Sequence, residues 1–229
     1  MSKTKIIYFI LLFSLFLAIP VIAQTPKANI TLTWSCDSYI PLEYQGKALP
    51  IENSFIDVAV TIDALEFNPQ DLTYLWSLNG QLQNVPNYGL GSANFKFKAE
   101  KKLIINGSIT VKVNAIKNGS TVGSSAITIK IFRPEVIINP SEQVLTSNQN
   151  VQFIARPYFF NIKSSNEIDH QWILGNNPAS RVDDEYSDVF FLTVGDIGQE
   201  LSQNLTVRSE NKSDFSQSAQ NTIQLLFTP

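Results

Sequence analysis

Apolar and polar residues alternate with period two along most of this chain. Ile30, Leu32 and Trp34 are spaced by Thr31 and Thr33, and Ile56, Val58, Val60 and Ile62 follow the same rhythm. Tyr74, Trp76 and Leu78 come next, then Phe95 and Phe97, then Ile109, Val111 and Val113, then Ile127, Ile129 and Ile131. In an extended chain, alternation sends one row of side chains into a core and the other into solvent. It therefore predicts antiparallel strands buried on one face. Asn79-Gly80, Asn106-Gly107 and Asn118-Gly119 punctuate these runs. Asn-Gly tolerates positive φ at both central positions, so Asn118-Gly119, between two alternating runs, predicts a tight hairpin. No long window carries a helical period.

The pattern then repeats. Trp76 and Trp172 lie 96 residues apart, and the same shift lays Phe95 on Phe191 without a gap. It also lays Ile109, Thr110 and Val111 on Leu205, Thr206 and Val207, and Ile127, Ile129 and Ile131 on Ile223, Leu225 and Phe227. One folding unit used twice is the direct reading. About seven short strands per ~100 residues predicts a β-sandwich for each copy. The fold expected is all-β: two tandem Ig-like antiparallel sandwiches over 24–132 and 133–229, with Trp76 and Trp172 packed between sheets as structural core residues. The leading stretch, Asn29 to Trp34, has no counterpart in the ungapped repeat and is expected to join the first sandwich as an edge or swapped strand. Phe132-Arg133-Pro134 is a short junction without Gly or Ser, and its Pro has a fixed φ, which predicts a stiff tandem.

Residues 1–23 read as a signal peptide. Lys3 and Lys5 precede a mostly apolar run from Ile6 to Ala18; Pro20 stops it, and Val21-Ile22-Ala23 supplies a cleavage site. No later stretch is apolar enough for a transmembrane helix, so the expected mature chain is exported: extracellular, periplasmic or at the cell surface. The full chain carries a net charge of −3. An acidic balance speaks against nucleic acid as a partner. The single cysteine, Cys36, forms no internal disulfide, so stability has to come from the two cores.

Around each Trp the chain reads Tyr74-Leu75-Trp76-Ser77-Leu78-Asn79-Gly80 and His170-Gln171-Trp172-Ile173-Leu174-Gly175-Asn176. Each copy later has an alternating strand, Ser108 to Val113 or Asn204 to Arg208, followed by a hairpin return. These features resemble the immunoglobulin-like PKD (polycystic-kidney-disease-type) domains and related domains of bacterial exported and surface proteins. The Gly-Asp-Gly usual there after the Trp strand is replaced by Asn79-Gly80 and Gly175-Asn176. The resemblance implies a spacer, stalk or adhesion module and no more.

Candidate chemistry is sparse. His170 is the only histidine, and it occupies the place of Tyr74, which argues for packing in a sheet rather than acid–base work. No catalytic residues and no cofactor are expected, and a His/Cys metal site lacks ligands. Asp183, Asp184, Glu185 and Asp188 are weak calcium candidates, since carboxylates suit that ion but the spacing of a calcium loop is absent. Pro157-Tyr158-Phe159-Phe160 breaks the alternation, because neighbouring strand residues face opposite ways. Tyr158, Phe159 and Phe160 are therefore expected at the domain junction or at a partner contact, on an edge or a bulge. The function expected is that of a non-enzymatic cell-envelope or surface module whose partners are other surface proteins or glycans. Two alternatives are a carbohydrate-binding or sugar-processing secreted protein and a calcium-stiffened adhesin.

Overall fold

The computed structural model describes residues 27–63, 68–83, 93–140, 144–179 and 187–229. Its first half contains β1 (Asn29–Cys36), β2 (Phe55–Asp63), β3 (Thr73–Leu78), β4 (Gln81–Leu82), β5 (Asn94–Lys98), β6 (Ser108–Lys117) and β7 (Ser120–Lys130). They form two sheets, ordered β1-β2-β5 and β4-β3-β6-β7, with every pairing antiparallel. The second half contains β8 (Glu135–Asn139), β9 (Val144–Thr146), β10 (Asn150–Tyr158), β11 (Ile168–Leu174), β12 (Asn177–Pro178), β13 (Val189–Thr193), β14 (Leu201–Asn211) and β15 (Asp214–Thr228). These order as β13-β10-β8 and β12-β11-β14-β15-β9. All are antiparallel except β9, which runs parallel to the end of β15. First, second and fifth strands on one sheet, with third, sixth and seventh on the other, is Ig-like connectivity, and it occurs twice.

Each sandwich closes on its tryptophan. Trp76 is buried and stacks on Phe95, centroids 5.2 Å apart; Phe95 stacks in turn on Phe97 at 5.3 Å. Trp172 is buried against Phe190 at 5.5 Å, and its indole N–H donates to Ser187 O. The alternation explains this: in β3, Tyr74, Trp76 and Leu78 all point inward and their neighbours do not.

The repeat is not gapless in space. Trp76 pairs with Val113 and Trp172 with Val207, so by cross-strand partner Leu205 and Val207 match Val111 and Val113, two residues from the 96-residue match. The register recovers in β15, where a larger bulge between Glu210 and Asn211 takes up extra residues. Phe95 likewise corresponds to Phe190, which is buried, and not to Phe191, which is 52% exposed. Two compensating shifts hide in an alignment that counts length alone, since a one-residue slip reverses every side chain.

The leading strand also has a counterpart, contrary to the expectation from sequence. β8 pairs with β10 as β1 pairs with β2. What differs is the connection that follows. Ile51 makes a single parallel bridge to Phe132, the place β9 fills against β15 in the second sandwich. Between β1 and Ile51 the chain inserts residues 37–50, whereas only 140–143 separate β8 from β9.

Candidate functional site

The insert is stapled to its own sandwich before it reaches the other. The Cys36 thiol donates to Ala48 O at 3.2 Å, and Ser38 Oγ donates to Leu49 O at 2.8 Å. Lys47 Nζ sits 3.2 Å above the centre of the Trp34 ring, a cation–π contact that gives this half-buried indole a lid. Burial holds the Lys47 ammonium below its ordinary pKa, with the nearby Cys36 acting the other way.

Held this way, the insert pairs with the end of β10. Phe159 N–H donates to Tyr39 O at 2.7 Å, and Tyr39 N–H donates to Phe160 O at 2.8 Å, a two-bond ladder between the sandwiches. Tyr44 meets Tyr158 and Phe159 edge-on, at 5.5 and 5.9 Å. Gly46 permits this, because a Cβ there would run into the Tyr44 ring. Arg156 Nε lies 3.4 Å from Glu43 Oε1. That nitrogen is shielded from water yet makes no aligned hydrogen bond, so the contact is an ion pair of charge attraction only. Burial, then the Glu43 charge, raise the Tyr158 phenol above its ordinary value against the opposing pull of Arg156.

The three aromatics after Pro157 thus lie at the junction, each in a different environment. Tyr158 ends β10 and faces outward, half-buried against Tyr44. Phe159 takes a left-handed φ of 61°, rare for a bulky residue, and this turns the chain toward Tyr39. Phe160 is fully buried in a small cluster with Ile162 and Ile168, and Tyr39 packs against that cluster from the first sandwich. Pro157 is tolerated because its missing N–H falls on the side of β10 beyond the end of β13. Two residues earlier, Ala155 N–H on that side already reaches past β13 to Asp188 O.

A polar bolt lies beside the aromatics. Asn161 Oδ1 accepts from Ser54 Oγ at 2.8 Å, its Nδ2 donates to Glu52 O at 2.8 Å, and its backbone N–H donates to Gln217 Oε1 at 2.8 Å. Gln217 Nε2 donates onward to Asp214 Oδ2. The Ser216 hydroxyl, donating at 2.6 Å, holds the Asp214 carboxyl below the usual range despite partial desolvation; Gln217 helps, as does Lys98 from the first sandwich. Ser54 and Gln217 are both buried. Two grooves of about 540 Å³ each flank this contact. One runs beside the Phe132-Arg133-Pro134 connection, and the other lies between Phe55 and Lys98 on one wall and Lys163 and Asp214 on the other.

Sequence reasoning singled out Tyr158 to Phe160 but missed Tyr39, Tyr44, Ser54, Asn161 and Gln217. The sequence signal for the insert is a length mismatch after the leading strands: residues 37–50 lie between β1 and Ile51, against 140–143 between β8 and β9. The remaining candidates sit elsewhere. His170 is wholly buried on β11 with Nδ1 2.8 Å from Ser209 Oγ, in the place Tyr74 holds opposite Ala115. Asp188 precedes β13, while Asp183, Asp184 and Glu185 lie outside the described residues. Among the described residues no group of three or more His, Cys, Asp or Glu converges.

Among the described residues no helix is long and apolar enough to cross a membrane. No protein-family model matches the chain, and no curated protein matches its sequence. Among solved structures it is similar to the three N-terminal domains of the bacteriophage RB49 highly immunogenic outer capsid protein, at 17% identity over 86% of this chain and 59% of that one, TM-score 0.39. It is similar to the N-terminal four Ig domains of Dscam1 isoform 8.4, at 12% identity over 84% and 47%, TM-score 0.32. It is also similar to the chicken interferon gamma receptor alpha chain, at 12% identity over 80% and 97%, TM-score 0.32. The chain spans 59% and 47% of the first two. The Ig-like assignment rests on the chain's own strand order, found in both halves.

Proposed function

We propose that this chain is a non-enzymatic, exported surface module, with domains at 24–132 and 133–229 locked into one stiff unit that acts as a spacer, adhesion or assembly element. The observation that carries this reading is the insert before Ile51, its start and end tied together by the Cys36–Ala48 and Ser38–Leu49 bonds and its Tyr39 paired with Phe159 and Phe160. A flexible linker needs no such device, while a spacer that holds a fixed distance does. The resemblance to PKD-like bacterial surface domains and the apolar leader before Gln24 support a place in the envelope or outside it. His170, buried in a sheet, offers no base to a substrate, which supports a binding rather than a catalytic role.

The test is fractionation of cells expressing the tagged chain, followed by protease added from outside. The reading expects a form shortened by the leader, outside the cytoplasm, and digested while a cytoplasmic control survives. A full-length, protected, cytoplasmic chain overturns it.

A further inference from the structure

The outer faces of the two equivalent three-stranded sheets differ in chemistry. In the first sandwich the outward residues of β1, β2 and β5 include Thr31, Thr33, Asp57, Thr61, Asn94 and Lys96. Matched by cross-strand pairing, the second sandwich has Ile137 where the first has Thr31, Arg156 for Thr61, Val189 for Asn94 and Phe191 for Lys96, while Asn139 for Thr33 and Gln152 for Asp57 stay polar. Ile154 replaces Ala59 between them. Phe191 and Ile137 are 52% and 45% exposed. On the first face the large apolar residue is Phe55, with Lys96 Nζ 5.3 Å from its ring centre. One face is thus built for water. The other presents an apolar band, which on an isolated soluble protein marks an interaction surface.

The charges on this band indicate what covers it. Glu135 and Arg156 stand on neighbouring strands, one cross-strand row apart, and Arg156, which meets Glu43 through Nε, keeps its side chain 38% exposed, so the face offers both signs beside its apolar side chains. A face that holds both signs beside its own apolar centre is complementary to itself. A two-fold axis then sets Glu135 of each copy toward Arg156 of the other, twice. The band also continues into the junction, through Tyr158 to Tyr44 and the fully exposed Leu42 at the tip of the insert. We infer that a second copy of this chain packs on the β8-β10-β13 face, making an isologous dimer through its second sandwich. The inference goes beyond the spacer reading and does not depend on the stiffness of the junction.

Sedimentation of the purified full-length chain over a dilution series to about 100 µM tests it, since a dimer dissociates by mass action. The expected result is a dimer that dissociates on dilution. Giving the second face the residues of the first, Phe191→Lys with Ile137→Thr, is expected to raise the dissociation constant at least ~tenfold while leaving the melting temperature nearly unchanged at dilutions where both chains are monomeric. Glu135→Arg, at an exposed position, is the independent variant and is expected to weaken the dimer as well. A chain that stays monomeric throughout the series overturns the inference, as does a dimer indifferent to these changes.

Discussion

Ser54 of the first sandwich donates its hydroxyl hydrogen bond, 2.8 Å long, to the side-chain oxygen of Asn161 in the second. Ser54 is buried, and its oxygen also accepts from Ile51 N–H, so both of its bonds are committed inside the protein. Asn161 has no local reason to be there. It caps no helix; its Nδ2 donates to Glu52 O, its backbone N–H to Gln217 Oε1, and its carbonyl accepts from Asn211 Nδ2. Asn161→Ala should therefore cost more than a typical surface change, about 1–3 kcal/mol, because it leaves the buried Ser54 hydroxyl without its acceptor and Glu52 O without its donor on the first sandwich, while the backbone bond to Gln217 stays. Urea unfolding checks this, and a loss within ±0.5 kcal/mol of zero, the range of ordinary surface changes, rejects it.

Gly123 tests how the start of β1 is held. A Cβ at that position lies 2.7 Å from Ala28 O and 3.0 Å from Ile30 Cδ1, and Ala28 N–H donates to Val122 O beside it. The near neighbour is backbone, which has little room to give. Gly123→Ala is expected to destabilise by about 1–3 kcal/mol, in the range for overpacking. Gly195→Ala, with nothing near its Cβ, is the matched control and should be close to neutral.

Strand positions and the two tryptophans were legible because period-two alternation is a local property that each strand carries in its own residues. Pairing offsets were not. The shift of Val113 against Val207 and its recovery at the β14–β15 bulge cancel in length, and only cross-strand partners expose them. The site was half legible. Tyr158, Phe159 and Phe160 stand out because three successive rings violate alternation. Ser54, Asn161 and Gln217 are ordinary polar residues in any sequence, and only the fold brings residues 107 apart, such as Ser54 and Asn161, within bonding distance.

Asn79 and Gly175 answer the same turn in two ways. Both have positive φ, and the backbone N–H of each donates to the facing strand, to Thr110 O and to Asn204 O. Asn79 adds a side-chain bond to Leu103 O at 2.7 Å and accepts from Thr110 N–H at 2.9 Å. Asn79→Gly relaxes the backbone but loses both bonds, and a net loss of about 1–2 kcal/mol is expected. Gly175→Asn should cost less, since Asn tolerates this φ. Thermal melts of the two variants decide it, and equal shifts contradict the reading.

Alkaline pH should act on the junction through Tyr158. Burial, then Glu43, raise its folded pKa above the ordinary 10.0. A raised folded value means a contribution to stability that is fully present below the ordinary value and is lost as pH rises through the folded one. Contact between the sandwiches should therefore weaken above about pH 10, and Tyr158→Phe should remove that part of the dependence. Tyr74, also raised by burial but within the first core, remains in the variant as an internal reference. An identical alkaline profile for both proteins contradicts the assignment.

Small-angle X-ray scattering is the most direct test of the central claim, that the insert from Asp37 to Pro50 locks the two sandwiches into one stiff unit. Recorded on the F191K/I137T chain, with the parent as reference, it reports the distance between sandwiches without interference from self-association. The account predicts that one fixed arrangement, the one described here, fits the curve at low and high salt alike. It also predicts that Tyr44→Ala with Asn161→Ala broadens the distance distribution and raises the maximum dimension. A curve that requires a mixture of bent and extended forms before any junction residue is changed contradicts the account.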